Sequence, residues 1–266
     1  MLLGLPYDAS SSFMRGAAEA PPIIRAALHS PSSNGWSEAG IDVLAPGVLG
    51  DAGDLALGEG EAARRAIEAG VRAVAQDGGR PISLGGDHSV TYGALRALGS
   101  MHEGITILQI DAHPDLYDSF EGDRFSHACQ FARILEEGLA SRLVQVGIRT
   151  INAHQREQAR KFGVDVIDMK VWAGGRRPHV GSPTYISLDL DGIDPAFAPG
   201  VSHPEPGGLS VREVLGIIQA IPGPIIGADV VELNPKRDVN DLTAFVAAKF
   251  VKEIASRMIE TVDSRL

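Results

Sequence analysis

The chain alternates short apolar runs with amphipathic segments, and this rhythm constrains its fold more than any other feature. The runs fall at 2–5, 81–84, 105–110, 143–148, 164–167, 184–190 and 225–231, most of them ending at glycine or aspartate. They are largely continuous in apolar residues, as strands buried on both faces of a parallel sheet require. Segments 60–76, 90–98, 127–137, 152–162, 210–221 and 242–258 lie between or after the runs and predict helices. In the last, Leu242, Val246, Phe250, Ile254 and Met258 recur every fourth residue and form one core-packing stripe. The alternation predicts an α/β fold of three layers, one mostly parallel sheet between two helical layers. Segment 30–40 (SPSSNGWSEAG) is the long loop-like stretch. Without a linker, repeat or low-complexity tract, residues 1–266 are expected to form a single domain.

Composition narrows the function classes. A net charge of −10 argues against a nucleic-acid partner and mildly favours small cationic ligands. No apolar run reaches membrane-spanning length. The single cysteine, Cys129, excludes an internal disulfide and fits a reducing compartment. The start MLLGLPYDAS has neither a basic region nor an apolar region of export-signal length, so a cytoplasmic location is expected.

Chemistry concentrates where predicted strands end. His88 sits in LGGDHS, Asp111, His113 and Asp115 in QIDAHPDLYD, and Asp189 and Asp191 in SLDLDGIDP. In open α/β sheets, ligands bind outside the carboxyl ends of the strands. Residues two apart in an extended chain point the same way, so each motif can present its donors to one side. A lone DxH or DxD at a strand end is more often a turn or a helix cap. Three such motifs converging on one sheet edge point to metal instead. Four carboxylates crowded together repel unless cations lie among them. Carboxylates mixed with imidazoles, without thiolates, suit manganese or another octahedral first-row ion. Two such ions imply hydrolysis by metal-activated water.

GGDHS, DAHxD and SxDxDxxDP, in that order, resemble the arginase/agmatinase ureohydrolases. The likeness spans nearly the whole chain, from LLGLPYDASSSFMRGAAEAPPIIR through SHACQFARI and PGVSHPEPGGLSVRE to GADVVELNP. It is strongest to the agmatinase and plant-type arginase branch. The resemblance implies about eight parallel strands, two Mn2+ ions per chain and a homo-oligomer, trimeric or hexameric. It places His88, Asp111, Asp115 and Asp189 on one ion, and Asp111, His113, Asp189 and Asp191 on the other. The implied reaction cleaves a guanidino compound to urea and an amine.

The same likeness assigns His127 as the proton donor to the departing amine, a task that suits imidazole near neutrality. The other reading of His127 is a helix-start residue beside a capping Ser126. Asp115 is expected to accept the nucleophile's remaining proton. Glu213 corresponds to the acid that grips the guanidinium; its alternative is a first-turn acid favoured by the helix dipole. His203, Glu205 and Arg124 are expected to line the substrate pocket, and Glu232 and Asp194 to serve supporting or backbone roles. Gly85, Gly86, Gly207 and Gly208 are expected to allow turns near the metals, not to cradle phosphate.

Loop 116–126 (LYDSFEGDRFS) lacks the NxHG pattern of arginine-specific relatives, which ranks agmatine first as substrate. Arginine and 4-guanidinobutyrate are the alternatives. A single-zinc deacetylase of the same architecture is the rival from another class, but the His-His pair and catalytic tyrosine typical of it cannot be placed here. A non-catalytic binding protein that retains the fold is the third reading.

Overall fold

The computed structural model describes residues 1–263. Its sheet has eight strands: β1 (Leu2–Leu5), β2 (Asp51–Asp54), β3 (Ile82–Gly85), β4 (Thr106–Ile110), β5 (Arg142–Ile148), β6 (Asp165–Asp168), β7 (Thr184–Asp189) and β8 (Ile225–Val231). They lie in the order β2-β1-β3-β8-β7-β4-β5-β6, and every pairing is parallel. The helices are α1 (Ala20–Leu28), α2 (Gly60–Gln76), α3 (Val90–Gly99), α4 (Gln130–Glu136), α5 (Ala153–Phe162), α6 (Met169–Ala173), α7 (Val211–Gln219) and α8 (Leu242–Asp263). Ile24 of α1, Leu215 of α7 and Phe250 of α8 pack on one face of the sheet with Leu84, Ile110 and Leu188. Ile67 of α2, Leu95 of α3 and Phe131 of α4 pack on the other with Leu3, Ile107 and Tyr185. The expected three layers follow.

β2 was not legible as a strand, and its physics explains why. Its sequence, DAGD, has no apolar face and is exposed throughout. It joins the sheet edge by backbone pairing with β1 and by ion pairs from Arg25 to Asp51 (2.7 Å) and to Asp54. Helix α1 was also missed; Pro21 and Pro22 punctuate its sequence, yet they sit in the first turn, where a missing N–H costs nothing. The helix expected over 127–137 starts only at Gln130, so His127 lies outside it.

The apolar runs hide one polar row. Ser83, Asp229, Ser187, Gln109 and Gln145 stand opposite one another across β3, β8, β7, β4 and β5. All are buried. Strand alternation turns their neighbours Leu84, Ile110 and Leu188 to the face covered by α1, α7 and α8, and these five to the face they share with Ile107 and Tyr185. Four of those strands, β3, β8, β7 and β4, are adjacent at the centre of the sheet. Their carboxyl ends carry the acidic motifs.

Candidate metal centre

The imidazole of His88, just beyond β3, is fully buried. Its Nε2 lies 2.8 Å from Ser187 Oγ, which donates to Asp229 Oδ1 at 2.8 Å. With Nε2–H donating to Ser187, Nδ1 carries the lone pair. That atom has no hydrogen-bond partner, yet Asp115 Oδ2, Asp111 Oδ2 and Asp189 Oδ2 surround it at 3.0, 3.1 and 3.2 Å. Metal–oxygen bonds of about 2.1 Å put neighbouring octahedral ligands roughly 3.0 Å apart. Each oxygen therefore stands from Nδ1 at the spacing of neighbouring ligands on one ion, and the donor atoms of His88, Asp111 and Asp115 all lie within 4.8 Å of one another.

A second position adjoins the first. His113 Nδ1 is 3.0 Å from Asp191 Oδ2 and 3.6 Å from Asp111 Oδ1. Asp111 thus turns one oxygen to each position. Asp189 turns Oδ2 to His88 and accepts the Asp191 N–H on Oδ1 at 2.8 Å. Burial, and then Asp191 and Asp111, push the Asp189 carboxyl far above the usual carboxylate range. This is the charge surplus that divalent cations relieve, so the donor set fits two of them.

Amide donors aim the ligands. Gln109 Nε2 donates to Asp111 Oδ2 at 2.7 Å, Gln130 Nε2 to Asp115 Oδ2 at 2.6 Å, and Gln145 Nε2 to Gln109 Oε1 at 2.6 Å. Hydrogen bonds from such outer groups fix ligand orientation. The sequence reading missed all of them, together with Ser187 and Asp229. For all but Gln130, which starts α4, the available signal was a polar residue inside an otherwise apolar run. Backbone constraints agree with the location. Asp115 and Glu232 both have positive φ, 50° and 66°, a strained state that clusters at functional sites. Gly86 is obligatory, because a Cβ there would meet the Tyr7 carbonyl oxygen at 1.7 Å.

Beside the ligands opens a cavity of about 180 Å³, lined by His113, Asp115, Asp189 and Asp191 at its floor and by His127, His203 and Glu232. His127 Nδ1 is 3.2 Å from Glu232 Oε1, and its Nε2 is 2.8 Å from Ser12 Oγ. Burial lowers the His127 pKa, but the Glu232 carboxylate more than offsets this and lifts it to about 9. Glu232 Oε1 also accepts the His88 N–H at 2.9 Å, whereas its Oε2 is buried without a partner. A buried carboxylate oxygen without a partner is costly unless a cation meets it, and Glu232 lines the cavity.

Three expected substrate contacts lie elsewhere. Glu213 closes the capping box of α7 with Ser210 and accepts the Trp172 Nε1–H at 2.8 Å; it is absent from the cavity lining. Those contacts are the ones its helix-acid reading expects. Glu205 lines a separate surface hollow with Arg149 and Lys170. Arg124 pairs with Asp118 and Glu136 at the surface. Conversely Glu232, expected only to support, is the acid that reaches the cavity. Asp194 has the expected backbone role, accepting from Gly207 N and Gly208 N.

A parallel sheet whose central strands end in paired carboxylate–imidazole sites beside a cavity defines a dinuclear-metal hydrolase. The chain belongs to the Arginase family, whose sequence model matches residues 1–256, and it is a ureohydrolase acting on a guanidino carbon–nitrogen bond. Arginase 2 (chloroplastic/mitochondrial) of Arabidopsis thaliana is 45% identical over 97% of this chain and 80% of its own length. The solved arginase from Medicago truncatula superposes with a TM-score of 0.93 at 44% identity, covering 97% of this chain and 86% of that one. The agmatine ureohydrolase of Thermoplasma volcanium superposes at 0.88 with 33% identity, covering 100% and 91%. The organellar names of the plant arginases contradict the expected cytoplasmic location. One reduced cysteine fits mitochondrial matrix and chloroplast stroma as well as cytoplasm, so it could not discriminate among them.

Proposed function

We propose that this ureohydrolase cleaves arginine to urea and ornithine, using two manganese ions. The observation that carries the choice over agmatine is the chemistry of the rest of the cavity lining. Beyond the metal-floor groups, His127, Ala128, His203 and Glu232, it consists of Ser12, Tyr117, Phe120, Thr150 and Gln155, with no further carboxylate. Hydroxyls and an amide can donate to an α-carboxylate, but a terminal ammonium such as agmatine's would find no acid to pair with. The greater identity to a solved arginase (44%) than to an agmatine ureohydrolase (33%) supports the same choice. The agmatine ranking from loop 116–126 rested on a missing motif; Arg124, which could have met arginine's carboxylate, pairs instead with Asp118 and Glu136 at the surface and favours neither substrate.

When bound, the ion pair supplies an activated water nucleophile and a Lewis-acidic floor. Manganese suits the carboxylate-rich donors. The chain's own residues do the rest. Glu232 Oε2 holds the guanidinium, because its negative charge has no other partner. Asp115, steadied by Gln130, accepts the attacking water's proton. His127, protonated at neutral pH through Glu232, delivers a proton to the departing amine. Ser12, a contact not anticipated from sequence, fixes the ring's other nitrogen. Assembly as a trimer or hexamer belongs to this reading and is measurable by light scattering.

The test is a urea assay of manganese-loaded protein against arginine, agmatine and 4-guanidinobutyrate. The reading requires the highest kcat/KM for arginine. A preference for agmatine by tenfold or more would overturn the substrate, and urea from none of them would overturn the reaction.

A further inference from the structure

We propose that Arg149 is a positioning residue for the second metal position: its guanidinium clamps the turn that carries Asp191, holding that carboxylate at ligand geometry. The proposal rests on the reading of His113 and Asp191 as ligands of a second ion.

Arg149 directly follows β5, and its own N–H donates to the Ala112 carbonyl beyond β4 at 3.0 Å. From there the side chain reaches across β4, which separates β5 from β7 in the sheet. Its Nε donates to Glu205 O at 2.8 Å, its Nη1 to Gly147 O and Gly192 O at 3.0 and 3.2 Å, and its Nη2 to Asp191 O at 2.6 Å. Nη2 also donates to Ile193 O and Glu205 O. The five N–H groups of the guanidinium are thus committed to five carbonyls from three separate segments. Every acceptor is neutral backbone. Burial pushes the Arg149 pKa down, and withdrawing a cation from water with no carboxylate to meet it is costly. A planar fork is what lets one side chain serve carbonyls on several sides at once.

The clamped turn is the one that presents the ligand. Asp191 Oδ2 lies 3.0 Å from His113 Nδ1, and its Oδ1 accepts from Ala112 N at 3.1 Å. Leu209 N donates to Gly192 O at 3.1 Å and Asp194 N to Leu209 O at 2.9 Å, so the turn and the segment ending at Leu209 run side by side. Gly208 makes room for the clamp, because a Cβ there would stand 2.7 Å from Arg149 Nη2. The first metal position is aimed by other groups: Ser187 on His88, Gln109 on Asp111 and Gln130 on Asp115. None of these is a partner of Arg149. Removing the guanidinium should therefore loosen Asp191 and leave the His88 side in place.

The experiment compares Arg149→Met with wild type, both loaded with manganese, by stepwise chelator competition and electron paramagnetic resonance. The second ion should bind about 10- to 100-fold more weakly in the variant, with the first ion within about threefold of wild type. The spectrum of a coupled manganese pair should give way to that of an isolated ion. Equal weakening of both ions, or of neither, would overturn the proposal. Arg149→Lys keeps the charge without the fork and should stay about tenfold or more below wild type for the second ion; wild-type affinity in that variant would also overturn it. Should neither variant fold, hydrogen exchange of the metal-stripped wild type decides. The amides of Asp194 and Leu209 should remain protected, and exchange at the rate of an open loop refutes the clamp. Wild-type protein that never binds a second manganese would sink the two-ion reading itself, a result separate from any difference between wild type and variant.

Discussion

Replacing Glu232 with glutamine separates the two acids that competed for the guanidinium. Glutamine keeps the volume and an oxygen for His88 N and His127 Nδ1, the partners of Oε1 at 2.9 and 3.2 Å. It removes the charge at Oε2, the buried oxygen with no partner of its own. A guanidinium about 4 Å away at an effective dielectric of 20 gains roughly 4 kcal/mol from that charge. At about 1.4 kcal/mol per decade, Glu232→Gln should cut kcat/KM for arginine on the order of a thousandfold. Steady-state urea release with parallel metal analysis reads this, and both ions should remain because Glu232 is not a ligand to either. A variant within threefold of wild type, metals intact, would refute Glu232 as the anchor.

The companion change, Glu213→Ala, should lower stability by about 1 kcal/mol through loss of the α7 capping box, with kcat/KM unchanged; thermal melting and the urea assay check both halves. His113→Ala should lose at least one of the two ions, and metal analysis still finding two per chain would sink the ligand assignment. His127→Ala should keep both ions and slow turnover by roughly 10²–10⁴. With its pKa held near 9, His127 carries its proton at neutral pH and loses it only as pH rises through that value. Turnover should therefore fall on the alkaline side, and Glu232→Gln should shift that limb to lower pH in a pH–rate profile. Ser187→Ala should leave His88 Nε2 without its acceptor and weaken metal affinity about 10- to 100-fold, measured by chelator competition.

The chain's linear order declared its strand–helix alternation and the six side chains that meet at the candidate metal centre, since both depend on local patterns. Continuous apolar runs report burial on two faces, and DxHxD or DxD reports donors on one side of an extended segment. The ends of those runs matched β3, β4 and β7 to within a residue or so, which is why the site's position at the sheet edge was readable. Strand β2 was not readable, because its stability comes from β1 and Arg25 instead of from its own residues.

What the tertiary structure alone decided is which acid meets the cavity. Glu213 and Glu232 are both single carboxylates near motif ends, and nothing local tells them apart. Folding commits both oxygens of Glu213 to α7 and Trp172, while Glu232, left-handed in backbone just after β8, lines the cavity with one oxygen unpartnered. The polar row from Ser83 to Gln145 is likewise a product of register, since its members meet only when five separate strands align. Ligand identity is a property of short segments. Ligand orientation and substrate grip are properties of the packed sheet.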